Sequence, residues 1–306
     1  MVSVEDIRKV FRGHVAVAEP LATYTSFRIG GPADFYLEPV DKFDLIEVVR
    51  FFKKFDYRFM IIGKGSNLLI SDSGFRGAAI NLEEGMGTVN IERGLIVAGS
   101  GVRLSKFVDF CIQHEKAGVE MLAGIPGTIG GAVIMNAGAY GGEISDHLVE
   151  VEIYRDDAIQ KIKKAQGGFS YRRSGFSRDV VLNASFELPQ GNLSELLKRR
   201  RELLLKRNQS QPLNLPNSGS MFKNPEGAFA AKLVEEAGLK GKQIGRAQIS
   251  DRHGNFIVNH GDATARNVFD LVRLARKKVF ERSGIKLELE VKLVGFEEEE
   301  IAEATT

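Results

Sequence analysis

Between Ala123 and Asp146 the chain reads AGIPGTIGGAVIMNAGAYGGEISD, with seven glycines in twenty-four residues. No single long helix or central strand tolerates that spacing, since each glycine costs about 0.5–1 kcal/mol against alanine in a regular element. What such a stretch does well is bring bare backbone close to a neighbour or a ligand. The whole chain shares the bias, with 33 glycines in 306 residues, where about 7% is usual. Two more glycine loops follow strand-like runs: IIGKGSNLL (61–69) after RFMI, and GSGVRLS (99–105) at the opening of a helical pattern. Loops of this kind expose backbone N–H groups that can cradle a phosphate. None completes a nucleotide fingerprint: GKGSNLL lacks the third glycine of G-x-G-x-x-G, and GIPGTIGG (124–131) lacks the Lys-Ser/Thr ending of a P-loop. Each alone reads as a turn. Together with NAGAYGG they point to an extended, diphosphate-bearing ligand.

The periodicity alternates strands and helices in the first half. DFYLEPV, RFMIIG, AAINL and GLIVAGS read as strands, and DKFDLIEVVRFFKKF as a helix with Leu45, Val48, Val49 and Phe52 inward. LSKFVDFCIQHEKAG reads as a helix that stops at Gly118, and HLVEVEIYR and DVVLNASFEL as strands around the loop GGFSYRRSGF. SELLKRRRELLLKR is helical, and QSQPLNLP after it is an extended linker. The last hundred residues form their own pattern. PEGAFAAKLVEEAG is a helix ended by Gly238, NFIVN a short strand, and ATARNVFDLVRLARKKVFERSG a helix that Asp262 can cap. KLELEVKLVGF alternates as a final strand, and the acidic tail FEEEEIAEATT is expected to fray.

Forty-two basic against 40 acidic residues leave a net charge of +2, too weak a field to argue for nucleic acid or an anionic membrane. LLKRRRELLLKRNQ bunches basic residues, yet it carries no base-stacking aromatics, and a solvated connecting helix is the plainer reading. The start lacks a signal-peptide core, and no run approaches the ~18 apolar residues of a membrane span. A reduced, cytoplasmic setting is expected. Cys111 is the one cysteine, so an intramolecular disulfide or multi-cysteine metal site is excluded, and FVDFCIQH places it on the apolar stripe of a helix.

Polar side chains in three stretches invite a chemical role, each with a bland alternative. Ser220 in NSGSMFKNP (217–225) stands between a glycine and an apolar pair. It reads as a turn residue, a nucleophile or a proton donor. No G-x-S-x-G elbow surrounds it, although any of His14, His114, His147, His253 and His260 could meet it in space. Arg172 and Arg173 in SYRRSGF read first as exposed loop arginines. Glu288 and Glu290 fall on the polar side of the KLELEV alternation, which alone suggests a solvated strand face.

FRIGGPADF (27–35), GKGSNLLISD (63–72), GIPGTIGGAVIMNAGAYGGEISD (124–146), SYRRSGF (170–176), GSMFKNP and the terminal LELEV occur in this order and together resemble the UDP-N-acetylenolpyruvoylglucosamine reductase (MurB) family. The resemblance runs from about Thr23 to Phe296. A rival flavin oxidoreductase, acting for example on a hydroxy acid, would share the glycine loops but has no reason to carry GSMFKNP or LELEV. The resemblance implies an α+β fold, with a two-subdomain FAD-binding region of the vanillyl-alcohol-oxidase type and a C-terminal αβ substrate domain. Segments 1–80, 81–208 and 209–306 correspond to these parts, the second including the connecting helix. It further implies reduction of UDP-N-acetylglucosamine enolpyruvate to UDP-N-acetylmuramate for peptidoglycan precursor synthesis, and so a part in cell-wall biogenesis, cell shape and division. FAD is bound, NADPH is the reductant, no metal is needed, and a monomer is expected.

Carried over by motif, Gly63, Lys64, Gly65, Ser66, Asn67 and Leu68 hold the FAD pyrophosphate. Gly124, Pro126, Gly127, Thr128, Gly130, Gly131 and Asn136 line the flavin and its ribityl chain. Arg172 meets the substrate carboxylate, where a planar fork suits two oxygens. Glu290, directly before Val291, assists protonation, in a protonated form that burial or a nearby negative charge would have to favour. Ser220 donates the proton, Lys223 and Asn224 face the nucleotide diphosphate, and Tyr140 lies against flavin or substrate. Between Gly175 and Phe222 there is no inserted αβ element and no tyrosine, so the chain resembles the shorter type of the family.

Overall fold

The computed structural model of the chain describes residues 2–305. It divides into two compact units, each assembled from separate stretches. The first takes the chain up to Val17, Phe35–Gly63 and Gly77–Arg207; the second takes Ala18–Asp34, Lys64–Arg76 and the chain from Asn208 on.

In the first unit an antiparallel sheet runs in the order Ala158–Lys163, Leu148–Arg155, Val180–Phe186, Leu95–Gly99, Val89–Glu92. Val151 faces Ala184, which faces Ala98 across the next ladder, and all three are buried. The helix Leu104–Gln113 buries Leu104, Phe107, Val108, Cys111 and Ile112, the i, i+3, i+4, i+7, i+8 stripe of a core-facing helix. The Phe107 ring meets that of Phe186 at 4.8 Å. Cys111 is thus the packed thiol expected, and burial, with the nearby Glu120 carboxylate adding to it, pushes its pKa up to about 12. A smaller sheet has the order His14–Pro20, Pro32–Glu38, Phe75–Asn81, Phe59–Ile62, with Ile62 beside Asn81 in its parallel pair. The helix Lys42–Lys54 packs here. It is capped by Asp41, which accepts from the N–H groups of Phe43 and Asp44, and it buries Leu45, Val48, Val49 and Phe52 as the periodicity indicates. Asp44, also buried, accepts from the N–H groups of Arg12, Gly13 and Val40 at 2.8, 3.1 and 3.1 Å. Strands Val89–Glu92 and Ala158–Lys163 have no counterpart in the sequence reading. Both are short and largely exposed; Val89–Glu92 alternates over only four residues, and Ala158–Lys163 shows no apolar alternation.

The helix Leu193–Ser210 is the solvated connecting helix expected, burying only Leu196 and Arg207. In the second unit the long helix Ala265–Ser283 packs Val268, Leu271, Val272, Ala275 and Val279 into a core with Met221, Phe222, Ile257 and Leu287. Its cap is Thr264, in a reciprocal capping box with Asn267, and not Asp262, which sits two residues earlier with φ 57°. KLELEV is not a continuous strand. Only Lys292–Val294 forms a ladder, parallel to Leu68–Ile70. Likewise the helix in PEGAFAAKLVEEAG starts only at Ala230. The acidic tail, expected to fray, is instead helical over Glu298–Thr305, with Glu300 and Glu303 paired to Arg266 and Arg273 and Ala304 buried. Two short strands, Gln243–Ile244 and Ala247–Ile249, pair in sequence before Ile257–Asn259 in a three-stranded sheet. No helix among the described residues is long and apolar enough to cross a membrane.

Candidate active site

The densest glycine region folds in the first unit as loop, short helix and loop. Thr128 precedes the helix Ile129–Met135, and Asn136 closes it in the left-handed conformation (φ 43°). The N–H groups of Ile129 and Gly130 are already given to the carbonyls of Val102 and Ser100 at 2.8 and 2.9 Å. This segment therefore offers a shaped wall more than a row of donors. A pocket opens against it, lined by Gly63, Ser100, Gly101, Thr128, Gly130 and Gly131, with Ile62, Leu82, Ile134 and Val181 as apolar walls. Gly63 has to be bare: a Cβ there would stand 2.5 Å from the Thr128 hydroxyl. Asp179 also lines the pocket and is held by the Arg155 fork at 2.7 and 2.5 Å. Gly124, Pro126 and Gly127 lie outside this lining; Gly124 packs against Leu204 and Arg207 of the long helix.

Asn136 is 1% exposed, and its Oδ1 has no hydrogen-bond partner among the described residues. A buried orphan acceptor of this kind costs about 1–3 kcal/mol unless something donates to it. Asn136, like Gly124, lies outside the pocket lining; the bare glycine walls and the Thr128 hydroxyl of the pocket suit a flavin nucleotide, whose ring brings apolar faces and polar edges into close contact. Arg172 occupies a two-residue turn closed by Ser170 and Arg173, with φ 55°. Its Nη2 donates to Gly138 O at 2.9 Å and its guanidinium lies 4.9 Å from the Tyr171 ring centroid. Arg172 is half-buried and Arg173 exposed. Tyr140 is turned to the long helix, its hydroxyl donating to Leu203 O at 3.5 Å and its ring under Lys206.

In the second unit Gly65 takes φ 54° where a Cβ would strike Tyr24 O. Asn67 donates through Nδ2 to Glu290 O at 3.0 Å, while its own carbonyl accepts from Lys292 N at 2.9 Å. Lys64 is exposed; Ser66 and Leu68 are half-buried. Ser220 bridges to Phe256, and the chain after it is clamped from two sides. On one side Asn255 accepts from Phe222 N at 2.9 Å and donates to Phe222 O at 2.7 Å. On the other, Glu290 N donates to Met221 O at 2.9 Å and Lys223 N to Glu288 O at 2.8 Å. Ser220, Lys223 and Glu290 are thereby brought together. The Ser220 hydroxyl is half-buried and has no hydrogen bond among the described residues. The Lys223 ammonium is paired with the Glu288 carboxylate, and Asn224 Oδ1 accepts from Ala230 N at 3.1 Å.

Sequence reasoning passed over Asn255 and Glu143. The first stood in NFIVN as an ordinary strand residue, and only its distant partner Phe222 reveals the clamp. Near it, His253 is partly buried, which lowers its pKa, and the Lys240 charge lowers it further. Its Nδ1 accepts from Asn255 N at 3.3 Å.

Comparison with known proteins identifies the domains that carry these residues. Residues 33–160 match the family model described as FAD binding domain. Residues 211–294 match that of the UDP-N-acetylenolpyruvoylglucosamine reductase C-terminal domain. A flavin-binding domain joined to this reductase domain defines an FAD-dependent oxidoreductase of α+β fold, as the sequence motifs imply. The UDP-N-acetylenolpyruvoylglucosamine reductase of Chloroherpeton thalassium is 45% identical, over 97% of this chain and 99% of its own. That of Caldanaerobacter subterraneus is 39% identical over 95% and 98%. The crystal structure of the Thermus caldophilus reductase (MurB) superposes with a TM-score of 0.80 at 34% identity, covering 92% of this chain and 99% of that one. The chain belongs to the UDP-N-acetylenolpyruvoylglucosamine reductase family.

Proposed function

We propose that the chain reduces UDP-N-acetylglucosamine enolpyruvate to UDP-N-acetylmuramate with NADPH, as a step of peptidoglycan precursor synthesis that serves cell-wall biogenesis, cell shape and division. When bound, FAD supplies the hydride for the terminal alkene carbon from its N5, having been reduced by NADPH. Gly63, Lys64, Gly65, Ser66, Asn67 and Leu68 hold its pyrophosphate. Thr128, Gly130, Gly131 and Asn136, with Gly124, Pro126 and Gly127 of the same loop, shape the flavin end. As hydride arrives, charge gathers on the substrate carboxylate, and Arg172 stabilises this enolate-like state. Ser220 then gives its hydroxyl proton to the carbon bearing the carboxylate, a transfer an enolate is basic enough to accept. Glu290 polarises the enolate from the next bonded segment. Lys223 and Asn224 meet the diphosphate, Lys223 exchanging Glu288 for it, and Tyr140 borders the ligand.

The observation that best supports this reading is the Ser220 hydroxyl, half-buried without a hydrogen-bond partner among the described residues, next to Met221, whose carbonyl bonds the Glu290 segment. We assign flavin binding to segments 1–80 and 81–208 and substrate binding to 209–306, in a cytoplasmic monomer of the shorter family type. Anaerobic mixing of the flavin-loaded protein tests the reading. NADPH should bleach the flavin absorbance, and the enolpyruvyl nucleotide should restore it. A protein bleached by NADPH but not reoxidised by that nucleotide has another substrate.

A further inference from the structure

Glu143 has no role in the scheme above, yet several contacts of the first unit converge on it. Its Oε2 accepts from Asn136 Nδ2 at 2.6 Å, a short bond of the kind an ionised acceptor favours. The same amide nitrogen donates to Ser170 O at 3.0 Å, in the turn that carries Arg172. The Glu143 backbone pairs with Gly138, whose carbonyl receives Arg172 Nη2. A Cβ on Gly138 would stand 2.9 Å from Glu143 Cγ, so the stem of Glu143 occupies the space that glycine leaves open.

Two acceptors on one amide decide how Asn136 points. A carboxylate and a carbonyl can only accept, so both hydrogens of Nδ2 are committed and Oδ1 faces the other way. Without the carboxylate the amide keeps only the Ser170 carbonyl to orient it, and is free to turn. Ser170 then loses its anchor, and the turn keeps a non-glycine residue in the left-handed region with less to hold it there.

We propose that Glu143 is a positioning residue for Arg172, acting through the Asn136 amide. The inference rests on the reading that Arg172 meets the substrate carboxylate, and it names what holds the guanidinium ready. Glu143→Leu should affect flavin reduction by NADPH less than the second half-reaction, since Asn136 itself stays in place at the flavin end. It should slow reoxidation by the enolpyruvyl nucleotide on the order of 10²-fold, the usual result of small misplacement at a reacting centre. It should also weaken calorimetric binding of that nucleotide to the oxidised protein. Glu143→Gln keeps an oxygen that accepts from Asn136 and should stay close to wild type. The double variant with Arg172→Ala should be no slower than Arg172→Ala alone. Equal slowing of both half-reactions, or full additivity with Arg172→Ala, would overturn the proposal. Should Glu143→Leu lose its FAD, Glu143→Asp draws the carboxylate back by one methylene, and an unselective effect there overturns it equally. If Arg172→Ala itself leaves reoxidation unchanged, the reading of Arg172 fails first and takes this inference with it.

Discussion

Cys111 and Ser220 are both small groups with a single dissociable proton, and their surroundings differ. Cys111 lies wholly inside the first core with its pKa pushed up to about 12 by burial. At pH 8 its thiolate fraction is on the order of one in 10⁴, and the thiolate is the reactive form. Iodoacetamide should therefore leave the native protein unlabelled at pH 8 and label it once denatured; rapid native labelling would show that the core opens around this helix. Ser220 is half-buried, with its hydroxyl free of internal hydrogen bonds among the described residues. Ser220→Ala should still allow NADPH to bleach the flavin, while reoxidation by the enolpyruvyl nucleotide slows by about 10²–10⁴, the worth of a positioned acid. Equal slowing of both steps would make Ser220 structural. The bland and chemical readings of this serine were level on local sequence alone, because its partners are Phe256 and, through Met221, Glu290. Neither lies within thirty residues of it in the chain.

At the scale of elements, helices with a full apolar stripe were legible and their ends less so. Leu45, Val48, Val49 and Phe52 repeat at helical spacing, and all four are fully buried. The long helix of the second unit shows where local signals stop. Asp262 carries the right side chain for a cap, but Thr264 does the capping. The next N–H groups, of Ala265 and Arg266, are taken by the Asp72 carboxylate at 2.8 and 3.1 Å. A partner nearly two hundred residues away leaves no trace in the local pattern. Thr264→Ala should cost about 0.5–2 kcal/mol in urea unfolding, the range for a lost cap. Asp72→Ala should cost about 1.5–3 kcal/mol, because its bonds are charge-assisted. Asp262→Asn, which keeps a residue tolerant of positive φ, should stay within about 0.5 kcal/mol of wild type. A larger loss at Asp262 than at Thr264 would restore the cap expected from sequence. KLELEV misleads for a related reason: its alternation is real, but 288–290 bond singly to 221–223, and only Lys292–Val294 enters a ladder.

For the whole molecule, the joining of 18–34 and 64–76 to the last hundred residues was illegible, since no composition shift marks them. The glycine motifs named the family but could not say which stretches share a core. Global unfolding also reads out a partly buried group that local sequence hides. His253 has its pKa lowered by burial, with Lys240 adding to the effect, and its Nδ1 accepts the N–H of Asn255. Acceptance requires an unprotonated Nδ1, so the folded protein holds the neutral ring. The unfolded chain binds the proton at the ordinary pKa of about 6.5. Between that value and the lower folded one, the unfolded state carries more protons, so stability rises with pH there. The contribution of His253 is fully present above about pH 6.5 and is lost as pH falls through its folded pKa. Carboxylates held below their usual range, Asp41 by backbone N–H groups and Arg12, lose their contribution only at lower pH, near 4 and beneath. His253→Gln, neutral at every pH, should therefore narrow its stability deficit against wild type between pH 7.5 and 5.5. Urea melts of both proteins at several pH values measure this difference directly. A deficit that stays constant across the window would mean that the ring is hydrated and titrates alike folded and unfolded. The Asn255 clamp beside Phe222 would then have to stand without that acceptor.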